Sequence, residues 1–347
     1  MTPLIDRRSL IATGALLAAG WSGAGLAARR AAPAPVALSD MSVLVDGLEN
    51  PEGIAALRDG RIFFSSGGGA IGVREVDGRI RHVGAPLAPN GVAIDAKGRA
   101  IVANMGLLKN VPGTLQRIDV ATGAVETIAD TLEGRALVAS NGPAVARDGT
   151  IYCTHSSWGP ISNIGTSKGS GFIYMVAPDG RRQIVARDLR GVNGLCLDAG
   201  ERYVYASLTA EARIRRWRRL ADGTLGPAEA YGPRLGLAIP DQTVREILAM
   251  PAGDRATLGY CDGIAFDKAG NLWITLPFSN RIVALTPAGG LVDIVHDPEA
   301  RLIDMPTNLC WSGRRLDRLL VVSRRGGRIV SARTATPGLP LAHWRSA

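Results

Sequence analysis

The chain has 347 residues, a formal charge of +9 and a hydrophobic content of 46%, which is ordinary for a globular protein. Most of its cations are arginines scattered along the whole length, a pattern of solvated surface that speaks against a nucleic-acid partner. Four cysteines without a C-x-x-C pair exclude a zinc knuckle, and four histidines are too few for a histidine-rich metal centre.

In chain order, residues 1–35 come first as a leader. Arg7-Arg8-Ser9-Leu10 opens an apolar stretch that runs to Leu26, followed by small residues and prolines through Pro35. This is the pattern of a bacterial twin-arginine signal, so export to the periplasm is expected. Thr13, Gly14, Gly20, Ser22 and Gly23 interrupt the stretch, which favours a cleaved leader over a spanning helix. No stable membrane insertion is expected once the leader is gone; an uncleaved anchor is the alternative.

Residues 36–347 carry a repeat, and the repeat overrides the two-domain expectation that length alone would give. Ser42-Val43-Leu44-Val45 is the first strand pattern. A polar-Gly-apolar signature then recurs at Pro51-Glu52-Gly53, Pro89-Asn90-Gly91, Ser140-Asn141-Gly142, Val192-Asn193-Gly194 and Cys261-Asp262-Gly263, with a degenerate sixth copy at Thr307-Asn308-Leu309. An apolar strand, a turn rich in Asp and Gly, and a second apolar strand follow each copy. Asp and Gly accept the positive φ that short hairpins need. The second strands, such as Tyr203-Val204-Tyr205-Ala206 and Leu272-Trp273-Ile274, are rich in β-branched and aromatic residues. Third and fourth strands generally come next, as at Phe172 to Val176 and Gln183 to Ala186.

Six units of four strands predict an all-β fold: a single six-bladed β-propeller with four-stranded antiparallel blades. The sixth unit lacks a fourth strand, and Ser42 to Val45 is expected to supply it and close the ring. Arg213 to Arg219, the densest basic cluster, is expected as an edge strand protected by charge. Cys153, Cys196, Cys261 and Cys310 are expected as free, buried thiols, with one disulfide as the alternative. Two segments, 155–171 and 231–260, exceed what a blade needs, and they are either functional or decorative insertions. Asp241 to Leu248 within the second predicts a short capped helix with Val244, Ile247 and Leu248 on one face.

In a propeller the innermost strands line a central channel, and the residues just before them face one mouth. Glu52, Asn141, Asn193 and Asp262 would converge there as an all-oxygen set, suited to a hard cation. Turn preference alone accounts for Asn-Gly and Asp-Gly copies. It does not account for Glu52, because Glu has no such preference. Asn90 and Asn308 hold the same phase in the second and sixth copies, and His155 follows a second strand within reach of the same mouth. With Asn141, these are the candidate substrate contacts. Gly67 to Gly72 matches G-x-G-x-x-G, but a strand follows it, so the dinucleotide reading fails. H-E-x-x-H does not occur.

These residues resemble the regucalcin/gluconolactonase/luciferin-regenerating-enzyme family of six-bladed propellers. The likeness runs over residues 41–340 and is most specific at Pro51-Glu52-Gly53, Val192-Asn193-Gly194-Leu195, and the stretch from Cys261 to Trp273. The resemblance implies one catalytic divalent cation held by Glu52, Asn141, Asn193 and Asp262, with calcium foremost and zinc, magnesium or manganese as alternatives. It implies Asp262 as general base, and a small-molecule lactone opened to a hydroxy acid. The third unit departs from the family pattern. It reads Ser140-Asn141-Gly142, carries His155 where many relatives have Asp, and has Ala139 where the regucalcin branch has a sugar-binding Arg. These departures fall where substrate is chosen. A phosphotriesterase or arylesterase on the same site, or a non-enzymatic ligand-binding propeller, are the alternatives.

Overall fold

The computed structural model describes residues 32–239 and 241–345; the Arg7-Arg8 pair and the apolar stretch behind it lie outside the described residues. The repeat folds as the hairpin pattern requires. Each unit becomes a four-stranded antiparallel sheet, and six such sheets stand around one axis. Blade 1 comprises Ile54–Ala56, Ile62–Ser65, Ile71–Arg74 and Ile80–Val83. Blade 2 follows with Pro89–Ile94, Ala100–Asn104, Leu115–Ile118 and Val125–Ala129. Blade 3 has Ser140–Val145, Ile151–His155, Gly171–Val176 and Arg182–Leu189. Blade 4 has Val192–Leu197, Tyr203–Leu208, Arg213–Arg219 and Leu225–Tyr231. Blade 5 has Ile264–Phe266, Leu272–Leu276, Arg281–Leu285 and Leu291–His296.

Blade 6 takes Pro306–Ser312, Arg318–Ser323 and Arg328–Arg333 from the C-terminal part of the chain. Its outermost strand is Ser42–Val45, which pairs antiparallel through Ser42 with Ser331 and Val43 with Val330. The N-terminal strand therefore closes the ring, as the missing fourth strand implied. Val45, Ile54, Phe64, Cys310 and Leu320 form one buried cluster, so the closure also seals the core between blades 6 and 1. All four cysteines are free and buried.

One expectation is corrected. Arg213–Arg219 is the third strand of blade 4, paired on both sides, and the edge belongs to Leu225–Tyr231. Ile214 and Trp217 anchor it in the core. Three of its five arginines pair with acids: Arg215 with Glu211 at 2.7 Å, Arg216 with Glu229 at 2.9 Å, and Arg219 with Asp148.

The glycines of the signature serve the ring. A Cβ on Gly91 would lie 2.1 Å from the Asn141 carbonyl oxygen of the next blade, and one on Gly194 would lie 2.5 Å from that of Asp262. Glycine allows this close approach in five of the six inner strands. In the sixth blade Leu309 pairs with Val321, just as Leu195 pairs with Ala206 in the fourth. Thr307 thus holds the place of Asn193, and Asn308 the place of Gly194. The sixth copy is shifted by one residue from the alignment read in the sequence.

Both insertions lie at one end of the channel. Residues 231–260 contain the helix Val244–Ala249, capped by Thr243 and Glu246 in a reciprocal box, followed by Ala252–Ala256. The opposite end is closed by the C-terminal segment, where Leu339 donates to the Phe266 carbonyl at 2.9 Å and the buried Trp344 indole donates to that of Ala56 at 3.2 Å.

Candidate functional site

The open end is a cleft of about 1320 Å³, and each inner strand sends one polar residue into it: Glu52, Asn90, Asn141, Asn193, Asp262 and Thr307. Asn90, Asn141, Asn193 and Thr307 are second residues of their strands; Glu52 and Asp262 lie just before theirs. A shared register therefore delivers the site.

Hydroxyls on the second strands hold this ring in place. Thr154 donates to the Asn193 carbonyl and Ser207 to the Asp262 carbonyl, each at 2.6 Å. Thr275 donates to the Thr307 carbonyl at 3.2 Å, and Ser65 to that of Asn90. Thr307 donates in turn to the Glu52 carbonyl at 3.2 Å and joins the last blade to the first. Each of these bonds crosses between blades, so the backbone of the site is fixed by its neighbour. Sequence reasoning missed these hydroxyls. Their signal was a Ser or Thr recurring toward the end of the second strand, directly opposite the signature glycine.

Two carboxylates stand in the cleft floor. Asp262 is 6% exposed and Glu52 8%. Burial pushes the Asp262 carboxyl well above its usual range, the Glu52 charge adds to this, and Arg324 works against it. Among the described residues no hydrogen bond reaches the Asp262 carboxylate. Arg324 forms an ion pair with Glu52, and that charge holds the guanidinium above its ordinary pKa. Arg324 was not foreseen. It lies in the turn after Arg318–Ser323, outside the repeat signature.

The amides differ in their ties. Asn141 accepts from Asn90 at 2.9 Å and donates to the Ser156 hydroxyl at 3.0 Å, so its orientation is set. The Asn193 amide has no hydrogen bond among the described residues.

Two candidate substrate contacts are not brought to the cleft. His155 is fully buried, and its Nε2 accepts the Val138 and Ala139 amides at 3.1 and 3.0 Å. Its ring stacks on Phe172 at 4.3 Å, and burial lowers its pKa to about 3. It stands behind Asn141 as a neutral prop for the chain that leads there. Asn308, displaced by the register shift, lines the opposite end and accepts from the Leu309 amide at 2.9 Å.

The donor set fits a hard divalent cation. Among the described residues no hydrogen bond engages the Asp262 carboxylate or the Asn193 amide, Arg324 balances only one of the two buried carboxylates, and Asn141 presents a fixed amide oxygen. Among the described residues no group of three or more His, Cys, Asp or Glu comes together, so asparagine oxygens must complete the set.

The fold and its mouth define a β-propeller with a two-carboxylate, amide-rimmed centre. Residues 50–325 match the model of the SMP-30/Gluconolactonase/LRE-like region, and the chain belongs to that family. A gluconolactonase of Zymomonas mobilis is 23% identical over 253 residues, 72% of this chain and 64% of that protein. A 6-deoxy-6-sulfogluconolactonase of Pseudomonas putida is 27% identical over 161 residues, 46% of this chain and 47% of that one. The chain thus spans less than two thirds of either relative. Among solved structures, a gluconolactonase of Xanthomonas campestris superposes with a TM-score of 0.64 at 21% identity, covering 85% of this chain and 89% of that one. A calcium-binding regucalcin of Agrobacterium tumefaciens gives 0.65 at 17% identity, covering 88% and 96%. These two structures share the fold.

Proposed function

We propose that this chain is a divalent-cation-dependent hydrolase that opens a lactone to its hydroxy acid. The observation that carries this is Asp262, a buried carboxylate with no hydrogen bond among the described residues, standing in one cleft with Glu52 and the asparagine amides. Family membership and the gluconolactonase relatives support the reaction class.

Glu52, Asp262, Asn141 and Asn193 would hold the cation. Calcium suits their all-oxygen chemistry best, with magnesium, manganese or zinc as alternatives. When bound, such a cation polarises an ester carbonyl. The chain's own residues do the rest. Asp262 takes the proton from the attacking water. The acyl carbon–oxygen bond of the ring breaks, and the leaving ring oxygen takes up the proton that Asp262 accepted. Asn90, held to Asn141, and Thr307 orient the substrate from the rim. Arg324 offsets the charge gathered at Glu52 as a carboxylate product forms.

The test is a panel of lactones, aryl esters and phosphotriesters assayed with and without chelator. Chelator-sensitive lactone hydrolysis supports the proposal. Preferential turnover of phosphotriesters reassigns the reaction, and no turnover at all would make the propeller a binding protein. The Arg7-Arg8 leader further supports periplasmic export of the folded protein. Changing both arginines to lysine should trap precursor in the cytoplasm; normal processing of that form would refute the route.

A further inference from the structure

We infer that the substrate carries an extended apolar group, an alkyl or aryl substituent, in place of the hydroxyls of a sugar lactone. The inference rests on the hydrolase reading for its chemistry and adds the class of substrate.

The cleft is most polar at its floor, where the two acids stand. Its wall is mostly aliphatic, with Asn50 and Gln242 as polar exceptions: Met105 and Leu108 come from the connection after blade 2's second strand, Ile161 and Ile164 from residues 155–171, and Val244 and Leu248 from the capped helix. Three of these are open to solvent, with Leu108 at 53%, Ile161 at 41% and Leu248 at 47% exposure. Large aliphatic side chains exposed singly need no explanation, but three facing one cleft above two buried acids do. The helix makes the same point from its own architecture. Ile247 is buried and packs against Ala210, Ile239 and Leu258, so it anchors the helix. Leu248, beside it, contributes nothing to that core and stands in the cleft.

Two hydroxyls beside the wall are already engaged and offer a polyol little. The Ser156 hydroxyl is engaged by Asn141 and the Val192 carbonyl, and the Thr209 hydroxyl donates to the Cys261 carbonyl at 2.7 Å. Sugar hydroxyls pressed against this wall would lose water without recovering partners, which is costly. An alkyl group gains instead, by about threefold to fourfold in binding for each buried methylene.

The experiment measures kcat/KM for δ-lactones of increasing alkyl tail, from δ-valerolactone to δ-dodecalactone, alongside glucono-δ-lactone. The expected result is a rise of about threefold per methylene until the wall is filled, with glucono-δ-lactone well below δ-decalactone. The double variant Ile161→Asn, Leu248→Gln changes exposed side chains and should fold. It should cut the ratio of δ-decalactone to δ-valerolactone by about tenfold. A flat series, or glucono-δ-lactone turned over as well as δ-decalactone, overturns the apolar class and leaves the hydrolase reading standing. If no lactone is hydrolysed, calorimetry with the non-hydrolysable 6-pentyl-δ-lactam and with gluconolactam decides. Tighter binding of the alkyl lactam, weakened in the double variant, supports the apolar site while the hydrolase reading fails. Equal or absent binding overturns the apolar site as well.

Discussion

The two ends of the channel are built from the same six strands and could hardly differ more. At the open end stand Glu52, Asn90, Asn141, Asn193, Asp262 and Thr307. Two residues further along each strand, at the closed end, stand Ile54, Val92, Pro143, Leu195, Ile264 and Leu309. One ring is polar, the other aliphatic, and the spacing is the two-residue period of a strand. The closed end is sealed by the C-terminal segment, with Leu339 to His343 among its lining. The open end receives both insertions instead. The propeller therefore sets out two rings on the same strands, and the carboxylates stand in the one that the C-terminal segment leaves open.

The largest effect should come from breaking this asymmetry chemically. Asp262→Ala is expected to lower lactone turnover by about 10²–10⁴-fold in steady-state kinetics, the usual worth of a general base. Ile264→Val, two residues along at the other end, should cost about 1 kcal/mol of stability in urea unfolding and leave kcat near the parent value. Comparable losses from both would mean that the ends are not functionally distinct.

Next in size is the geometry that both rings share. Gly194→Ala drives a Cβ to within 2.5 Å of the Asp262 carbonyl oxygen, whereas a Cβ on Gly68 meets nothing within 4 Å. Gly194→Ala is expected to cost about 3 kcal/mol. Gly68→Ala should stay within about 0.5 kcal/mol by the same denaturation measurement. A tolerated alanine at 194 would show that the blades can part without harm.

A smaller effect belongs to His155, the prop behind Asn141. Its folded-state pKa is about 3 against an ordinary 6.5, so it stays neutral in the fold while the unfolded chain takes up a proton. The sign follows: its part in stability falls as pH drops from 6.5 toward 3, by up to about 1.4 kcal/mol per pH unit. His155→Gln keeps an acceptor and removes the titration. Its stability should fall less steeply than the parent's across that window in thermal unfolding; equal slopes would contradict the buried neutral state.

Much of this was legible because each repeated feature had a physical cause. Glycine before an apolar run marks close approach at the axis, Asp-Gly marks a hairpin, and the missing fourth strand pointed to Ser42–Val45. The Val244, Ile247, Leu248 face announced the capped helix, and the structure adds the Thr243–Glu246 box. The errors are instructive in the same way. The sixth copy has no glycine, so it was aligned on Asn308; the strand pairing gives the true register and places Thr307 in the cleft. Arg213–Arg219 was judged by charge, while Ile214 and Trp217 already marked a strand anchored in the core. His155 was read as polar and therefore functional, although a strand end in this blade points between sheets. Arg324 had no pattern to reveal it, since only the closed ring brings blade 6 beside Glu52.

The most direct test of the account is the initial rate of lactone hydrolysis by chelator-treated protein as free calcium is raised, with magnesium, manganese and zinc in parallel. The account predicts a rate near zero without cation and a saturable rise on its return, lost in Glu52→Gln. A rate that ignores chelator and every added cation would contradict it, and would leave Glu52 and Arg324 as a structural ion pair in a site that works without a metal.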